Sequence, residues 1–236
     1  MTGSEGPKGS QQSGPQQERP HLPAQEYLET IHSLLEEGTP VIQARIAQRL
    51  GRSAASVSEM LDRLADEGYV RRADRLVELT ERGAALAAKV VRRHRLAECF
   101  LVDVIGLPWR KVHQEASVWE HVISDDVEER LVAILGNPLT CPHGNPIPGA
   151  PQPVSNGLQR PLSEVQAGTL VRLERMTEEV EVDMMSLIYL DDHGFLPGTV
   201  AFVSSRAPDG TLTLQVGDTA VAFGSDLSAR LFVAAL

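Results

Sequence analysis

Ile42-Gln43-Ala44-Arg45-Ile46-Ala47-Gln48-Arg49-Leu50-Gly51-Arg52-Ser53-Ala54-Ala55-Ser56-Val57-Ser58-Glu59-Met60-Leu61 decides how this chain folds. Ala47, Gly51 and Val57 fall at the spacing of a helix-turn-helix: the small Ala lets two helices approach, Gly allows the turn, and Val packs the second helix on the first. Ser53 is placed to cap the second helix, which leaves Ala54, Ala55, Ser56 and Ser58 near its exposed start. Small apolar and hydroxyl side chains there suit thymine methyls and phosphates. With Arg45 of the preceding helix they form a candidate DNA-contacting set. A plain helical hairpin is the alternative, and the next stretch weighs against it. Tyr69-Val70-Arg71-Arg72-Ala73-Asp74-Arg75-Leu76-Val77-Glu78-Leu79 reads as strand, turn and strand. A hairpin directly after a recognition helix is a wing, and Arg71, Arg72 and Arg75 give it phosphate-binding charge.

Upstream, Tyr27, Leu28, Ile31, Leu34 and Leu35 recur at helical spacing between Pro23 and Glu37, with Glu26 and Glu29 projecting three residues apart on another side. Residues 1–22 are rich in Gly, Ser, Gln and Pro and are expected to be a disordered tail. Downstream, Thr80 caps a long helix to about Ile105, a second helix runs from Pro108 to Ile123, and Ser124 caps a third that Gly136 and Pro138 stop. Their apolar faces exceed what one winged domain covers, so a dimer interface is expected.

Two of these helices carry nitrogen and oxygen donors on one side. His113, Ser117, Glu120 and His121 follow at steps of four, three and one; His94 and Glu98 stand four apart on the helix before. Two helices each offering a His/Glu pair hold divalent transition metals. Each pair alone would more often be a solvated surface contact; two within one short region favour metal.

The balance of charge agrees with a regulator. Residues 41–99 hold 12 Lys and Arg against 8 Asp and Glu, a surplus of +4 in a chain of net charge −10, so the remainder carries −14. A basic island in an acidic chain suits a DNA-facing part joined to cation-binding parts. The two cysteines, Cys99 and Cys141, form no CxxC pattern, which points to a reduced compartment. With no apolar run near about 18 residues and no leader, the expected location is cytoplasmic, away from membranes.

Residues 136–162 are Pro- and Gly-rich and read as a linking segment. Beyond Leu162 the period changes to two, in Thr169–Leu173, Thr199–Val203, Thr211–Val216 and Ala220–Phe223, with Asp209-Gly210 as a hairpin signal. Such strands make a small β-barrel, interrupted by one helical piece from about Val182 to Leu190 that carries Asp183 and Ser186.

The chain resembles the diphtheria toxin repressor (iron-dependent regulator) family. The match rests on Arg93-His94-Arg95-Leu96-Ala97-Glu98, Lys111-Val112-His113-Gln114-Glu115-Ala116, Trp119-Glu120-His121-Val122-Ile123-Ser124-Asp125 and His143-Gly144-Asn145-Pro146-Ile147-Pro148-Gly149, in that order. The resemblance implies a mostly α fold with a small β domain. Its parts would be a winged helix-turn-helix at 23–83, a helical metal-binding and dimerisation domain at 84–140, a linker at 141–161 and an SH3-like, FeoA-like barrel at 162–236. It also implies about two divalent ions per subunit, a homodimer, and double-stranded operator DNA as partner. The ancillary site would be His94, Glu98 and His113 with Asp183 and Ser186 from the barrel, where the family has a carboxylate and a Gln. The primary site would be Glu120 and His121 with Glu26, Glu29 and Ser117. Iron-type members have Met and Cys at the positions of Glu26 and Ser117, whereas manganese-type members have carboxylates there and at Glu29. Oxygen donors in place of sulfur favour Mn(II) as corepressor, with Fe(II) the alternative.

Two other function classes stay open. A metalloenzyme using the same donors would need an activated nucleophile, and neither HExxH nor a nucleophile beside a base occurs. A winged-helix regulator answering an organic ligand would make His94 and His121 structural.

Overall fold

The computed structural model describes residues 22–151 and 158–236. The expected tail lies outside them except for Leu22, as do residues 152–157 of the expected linker.

The helix-turn-helix is built by local chemistry. Helix α1 (Leu22–Glu36) leads into α2 (Gln43–Leu50) and α3 (Ala54–Asp66). Gly51 takes φ 60°, a left-handed conformation that costs glycine little, and its N–H donates to the carbonyls of Ala47 and Gln48. The Ser53 hydroxyl accepts from the Ser56 N–H at 3.2 Å and caps α3. Ile46, Val57, Leu61 and Leu64 are fully buried against Leu28 and Ile31 of α1. The wing follows as β1 (Val70–Ala73) and β2 (Leu76–Leu79), paired antiparallel with Arg72 opposite Val77 and with Asp74 at φ 55° in the turn.

Thr80 caps α4 (Glu81–Asp103) by accepting from the Gly83 N–H at 3.0 Å. Gly83 has to be small, since an added Cβ would stand 1.9 Å from the Tyr69 carbonyl oxygen. The helix expected from Pro108 to Ile123 is shorter than its periodicity suggested. A 3-10 turn at Trp109–Lys111 precedes α5 (Val112–Trp119), so Glu120 closes the helix and His121 lies in the turn beyond it. Ser124 caps α6 (Asp125–Ile134), accepting from the Val127 N–H. Leu96, Ala97, Leu101, Val112, Ala116 and Leu131 form the core of this middle part.

The segment read as a linker is in part a packed loop. Cys141, His143, Asn145 and Ile147 are buried, and Ile147 belongs to the middle core. Gly144 makes the close packing possible, because a Cβ there would stand 1.9 Å from the Glu174 carbonyl oxygen. The C-terminal part is one antiparallel sheet in the order β3-β8-β4-β5-β6-β7. Its strands are β3 (Arg160–Pro161), β4 (Leu170–Met176), β5 (Val200–Arg206), β6 (Leu212–Val216), β7 (Thr219–Phe223) and β8 (Leu231–Ala235). A short α9 (Ser225–Ala229) joins the last two. Between β4 and β5 the expected single helix is two, α7 (Glu178–Val182) and α8 (Met184–Asp192), broken at Asp183. Among the described residues no helix is long and apolar enough to cross a membrane.

Candidate metal centre

Packing of α1, α4, α5, the loop at 141–145 and α7 brings donors from every part of the chain around His94. Its Nδ1 stands 2.5 Å from Glu120 Oε2 and 3.9 Å from Glu29 Oε1. Its Nε2 stands 3.2 Å from Glu98 Oε1 and 3.0 Å from His113 Nδ1. The ring therefore divides two clusters, an upper one toward α1 and a deep one toward the barrel.

In the deep cluster Glu98 is fully buried and its Oε1 is approached by three imidazoles, the other two being His113 Nδ1 at 3.3 Å and His143 Nδ1 at 3.1 Å. Glu181 Oε2 lies 3.0 Å from His113 Nδ1, and the Cys141 thiol lies with Glu98 and His143 within coordinating reach of one point. Asn145 orients Glu181, its side-chain amide donating to Glu181 Oε1 at 2.5 Å and to the Met176 carbonyl at 3.0 Å. Burial alone would raise Glu98, but the charges of His143 and His94 and the bonds from His113 and His143 hold its carboxyl well below the usual range. Burial works against the charged imidazoles too, yet Glu181 and Glu98 lift His113 to about 10, and Glu98 and Glu120 carry His94 well above its ordinary value. Burial and the neighbouring Glu98 push the Cys141 thiol up.

The upper cluster is more open and joins α1 to the middle part. Glu120 is buried, and its Oε1 lies 3.3 Å from His121 Nε2; His121 Nδ1 lies 3.2 Å from Gln25 Oε1. Burial and then the adjacent Glu120 push the Glu29 carboxyl well above its usual range, against the lowering effect of His94. Below this cluster α1 is tied to α4 by Arg95, which grips Glu36 through two bonds of 3.0 and 2.5 Å.

The donor chemistry fits a divalent transition ion. Two buried atoms of the deep cluster, Glu98 Oε2 and His143 Nε2, have no hydrogen-bond partner, which is costly unless something else engages them. Carboxylate oxygens and imidazole nitrogens converge there in the types that Mn, Fe and Zn take.

Several expected site residues stand elsewhere. Glu26 is half-exposed, 3.8 Å from Arg52, because α1 turns Gln25 and Glu29 inward and Glu26 outward. Ser117 is exposed and its hydroxyl donates back to the His113 carbonyl at 2.9 Å. Asp183 and Ser186 do not face His94, Glu98 and His113. Asp183 is exposed at the break between α7 and α8, accepting from the Met185 N–H and from the Ser186 hydroxyl. Glu181, two residues earlier, reaches the cluster in its place. Gln25, Cys141 and His143 join the clusters without being among the expected donors, although His143 heads one of the family motifs.

On the winged helix, Arg45, Ser53, Ala54, Ala55, Ser56, Arg71 and Arg75 are exposed and Ser58 is half-buried. Arg72 reaches from the wing to Gln43 and Ser58, 3.4 Å from each, and Arg71 pairs with Glu78 at 2.6 Å.

Comparison with known proteins agrees with this division. Residues 23–76 match the iron-dependent repressor N-terminal DNA-binding domain, 80–149 its metal-binding and dimerisation domain, and 160–235 the FeoA domain. The iron-dependent repressor IdeR of Mycobacterium tuberculosis (strain ATCC 25618 / H37Rv) is 47% identical over 201 residues, covering 80% of this chain and 86% of its own. The diphtheria toxin repressor of Corynebacterium jeikeium (strain K411) is 44% identical over 171 residues, 68% of this chain and 71% of its own. Among solved structures, a manganese-dependent transcriptional repressor in complex with manganese superposes with a TM-score of 0.81 at 33% identity, over 90% of this chain and 100% of the other. DNA-binding, metal-binding and dimerisation, and FeoA domains thus follow one another in this chain, and the chain belongs to the iron-dependent repressor family of metal-dependent, DNA-binding transcriptional repressors.

Proposed function

We propose that the chain represses transcription as a homodimer on operator DNA, with Mn(II) as corepressor. The observation that carries the choice of metal is the upper cluster: Glu29, Glu120, His94, His121 and Gln25 offer oxygen and nitrogen, with no sulfur among them. Such a set suits Mn(II), while intrinsic affinity for later metals is countered by geometry and availability. Glu29, His94, Glu120 and His121 would hold one ion, and Glu98, His113, His143 and Glu181 with Cys141 a second. Glu26, Ser117, Asp183 and Ser186 lie outside both sets.

A bound cation would supply the positive charge that lets crowded carboxylates share one point. The chain's own residues supply the rest. Glu29 belongs to the first helix of the DNA-binding part, and His94 and Glu120 belong to the middle part. Holding them together fixes α1 against α4, and with it the aim of α3. In a dimer the two recognition helices then meet grooves about 34–36 Å apart, or a multiple, and an error of a few ångströms costs affinity. Val104, Ile105, Val118, Val122 and Val127 are exposed apolar residues of the dimerisation domain and supply the face for the second copy. Ser53, Ala54, Ala55, Ser56 and Ser58 would contact bases and phosphates, while Arg45 and the wing arginines would contact phosphates. A repressor of this kind would act in the cytoplasm, where operator DNA lies.

An anaerobic DNA-binding titration at buffered free metal tests this. Mn(II) should activate binding at a free concentration the cell holds. Fe(II) is the second reading, favoured by the iron-dependent relatives and by the Cys141 thiol in the deep cluster. Activation by Fe(II) far below the effective Mn(II) level would decide for it.

A further inference from the structure

Among the described residues, His94 is the one side chain with an atom in both clusters. Its Nδ1 faces Glu120 at 2.5 Å and Glu29 at 3.9 Å, and its Nε2 faces Glu98 at 3.2 Å and His113 at 3.0 Å. We propose that His94 is a ligand shared between the two ion sites, so that filling one changes the donor set of the other and the two ions bind with negative linkage. This rests on the reading that both clusters hold divalent ions.

A neutral imidazole has one nitrogen free to bind an ion and carries its proton on the other. An ion taken through Nε2 leaves an N–H on Nδ1, pointed at Glu120, and the upper site loses its imidazole nearest α1. An ion taken through Nδ1 leaves an N–H on Nε2, pointed at Glu98, and the deep site loses a donor instead. The losses are unequal. Without His94 the deep cluster still has Glu98, His113, His143, Glu181 and Cys141, whereas the upper one keeps the carboxylates Glu29 and Glu120 with His121 and Gln25 beyond. With one ion bound, His94 would therefore serve the deep site through Nε2. With two, its Nδ1 would serve the upper site, and Glu98, His113, His143, Glu181 and Cys141 would hold the deep ion. Linkage is reciprocal, so each ion weakens the other by the same factor. The consequence is a graded response: the deep ion loads first and ties the barrel to the middle part, and the upper ion, which positions α1, loads only at higher free metal.

The test uses the full chain and two probes. Cadmium-113 NMR follows the environment of each ion. Calorimetry with Mn(II) gives the two affinities in the wild type and the affinity of the upper site alone in the double variant Glu98→Gln, Glu181→Gln, which removes both carboxylates of the deep cluster. The first cadmium resonance should move when the second equivalent is added, as its imidazole count falls by one. The upper site should bind about tenfold more tightly in that double variant than as the second site of the wild type. In a His94→Ala background that ratio should fall to about threefold or less, the part left to repulsion between cations. Should alanine fail to fold, His94→Gln keeps a polar group between Glu98 and Glu120, and the cadmium measurement on the wild type needs no variant. Two ions that bind independently with an unmoved first resonance, or a ratio unchanged without His94, would overturn the shared ligand and leave the two-cluster reading standing. A protein that binds neither cation would overturn both.

Discussion

The two clusters around His94 differ in what they join and in how firmly they are built. The deep cluster is closed: Glu98, His143 and Glu181 are buried, and Asn145 and Gly144 lock the loop that carries His143 onto β4. It ties the barrel to the middle part. The upper cluster spans a seam between α1 and the middle part, where Glu120 pairs with His94 and His121 and Glu29 is crowded by Glu120. A buried, orphan-bearing site is a structural clamp; a crowded site across a seam is where a cation changes geometry. On the function proposed above, the upper cluster would carry the signal and the deep one the support.

The largest effect should come from breaking the upper cluster. Glu120→Ala or His121→Ala should lower operator affinity in saturating metal by about 100-fold while leaving a folded dimer. Electrophoretic mobility shift and sedimentation measure the two halves of that statement. Unchanged affinity in both variants would place the switch elsewhere.

The next effect separates the deep cluster from its neighbours in sequence. Glu181→Ala should weaken one of the two ions by on the order of 10- to 100-fold, whereas Asp183→Ala should change neither affinity by more than about twofold. Calorimetric titration with Mn(II) decides it. Equal losses in both would mean that the break between α7 and α8 moves when metal binds.

That second prediction marks where the sequence stops being legible. The helix-turn-helix could be read because its determinants are local: Gly51 reaches a left-handed φ and Ser53 caps the helix it precedes. His94 and Glu98 could be read as a pair because a helical step of four puts them on one face of α4. Glu181 could not, since Glu178, Glu179, Glu181 and Asp183 crowd one short stretch and only the break at Asp183 decides which turns inward. Glu26 and Glu29 raise the same difficulty, because the rotation of α1 is set by its docking on α4. His143 and Cys141 were hidden by composition: a Pro- and Gly-rich stretch looks like a linker until Gly144 is seen against β4. Strand β8, central in the sheet, escaped because Leu231-Phe232-Val233-Ala234-Ala235 does not alternate.

A smaller effect concerns the tie that holds α1 below the upper cluster. Glu36 is partly buried, and burial alone would raise its carboxyl, but Arg95 and His32 lower it to about 2. A depressed carboxylate stabilises the fold above its unfolded value near 4.5, and that stability is lost as pH falls from there toward 2. Its contribution, discounted for the side chain's partial exposure, is about 2 kcal/mol. Glu36→Gln should therefore unfold more easily than the wild type above pH 5, and the two should converge near pH 2. Parallel urea curves across that range show the convergence or its absence. A constant gap would mean that the amide disturbs packing rather than charge.

The smallest effect is expected on the DNA-facing surface, where the arginines are already engaged. Each phosphate neutralised by a free cation steepens the dependence of log affinity on log salt by about 0.9. Two free wing arginines would thus account for a slope near 2. Arg71, however, is paired with Glu78 at 2.6 Å, and Arg72 stands 3.5 Å from Asp62. Both must leave a carboxylate to meet a phosphate, so part of the gain is offset. Arg71→Ala with Arg72→Ala should lower affinity alike for operator and random duplex and reduce the slope by about 1 rather than 2. Restoring charge balance sharpens the point: Glu78→Gln alone should steepen the slope, because it frees Arg71 without adding a cation. If Glu78→Gln leaves the slope unchanged while the double arginine variant flattens it by about 2, the ion pair breaks at no cost on binding, and the wing contributes as much as its formal charge.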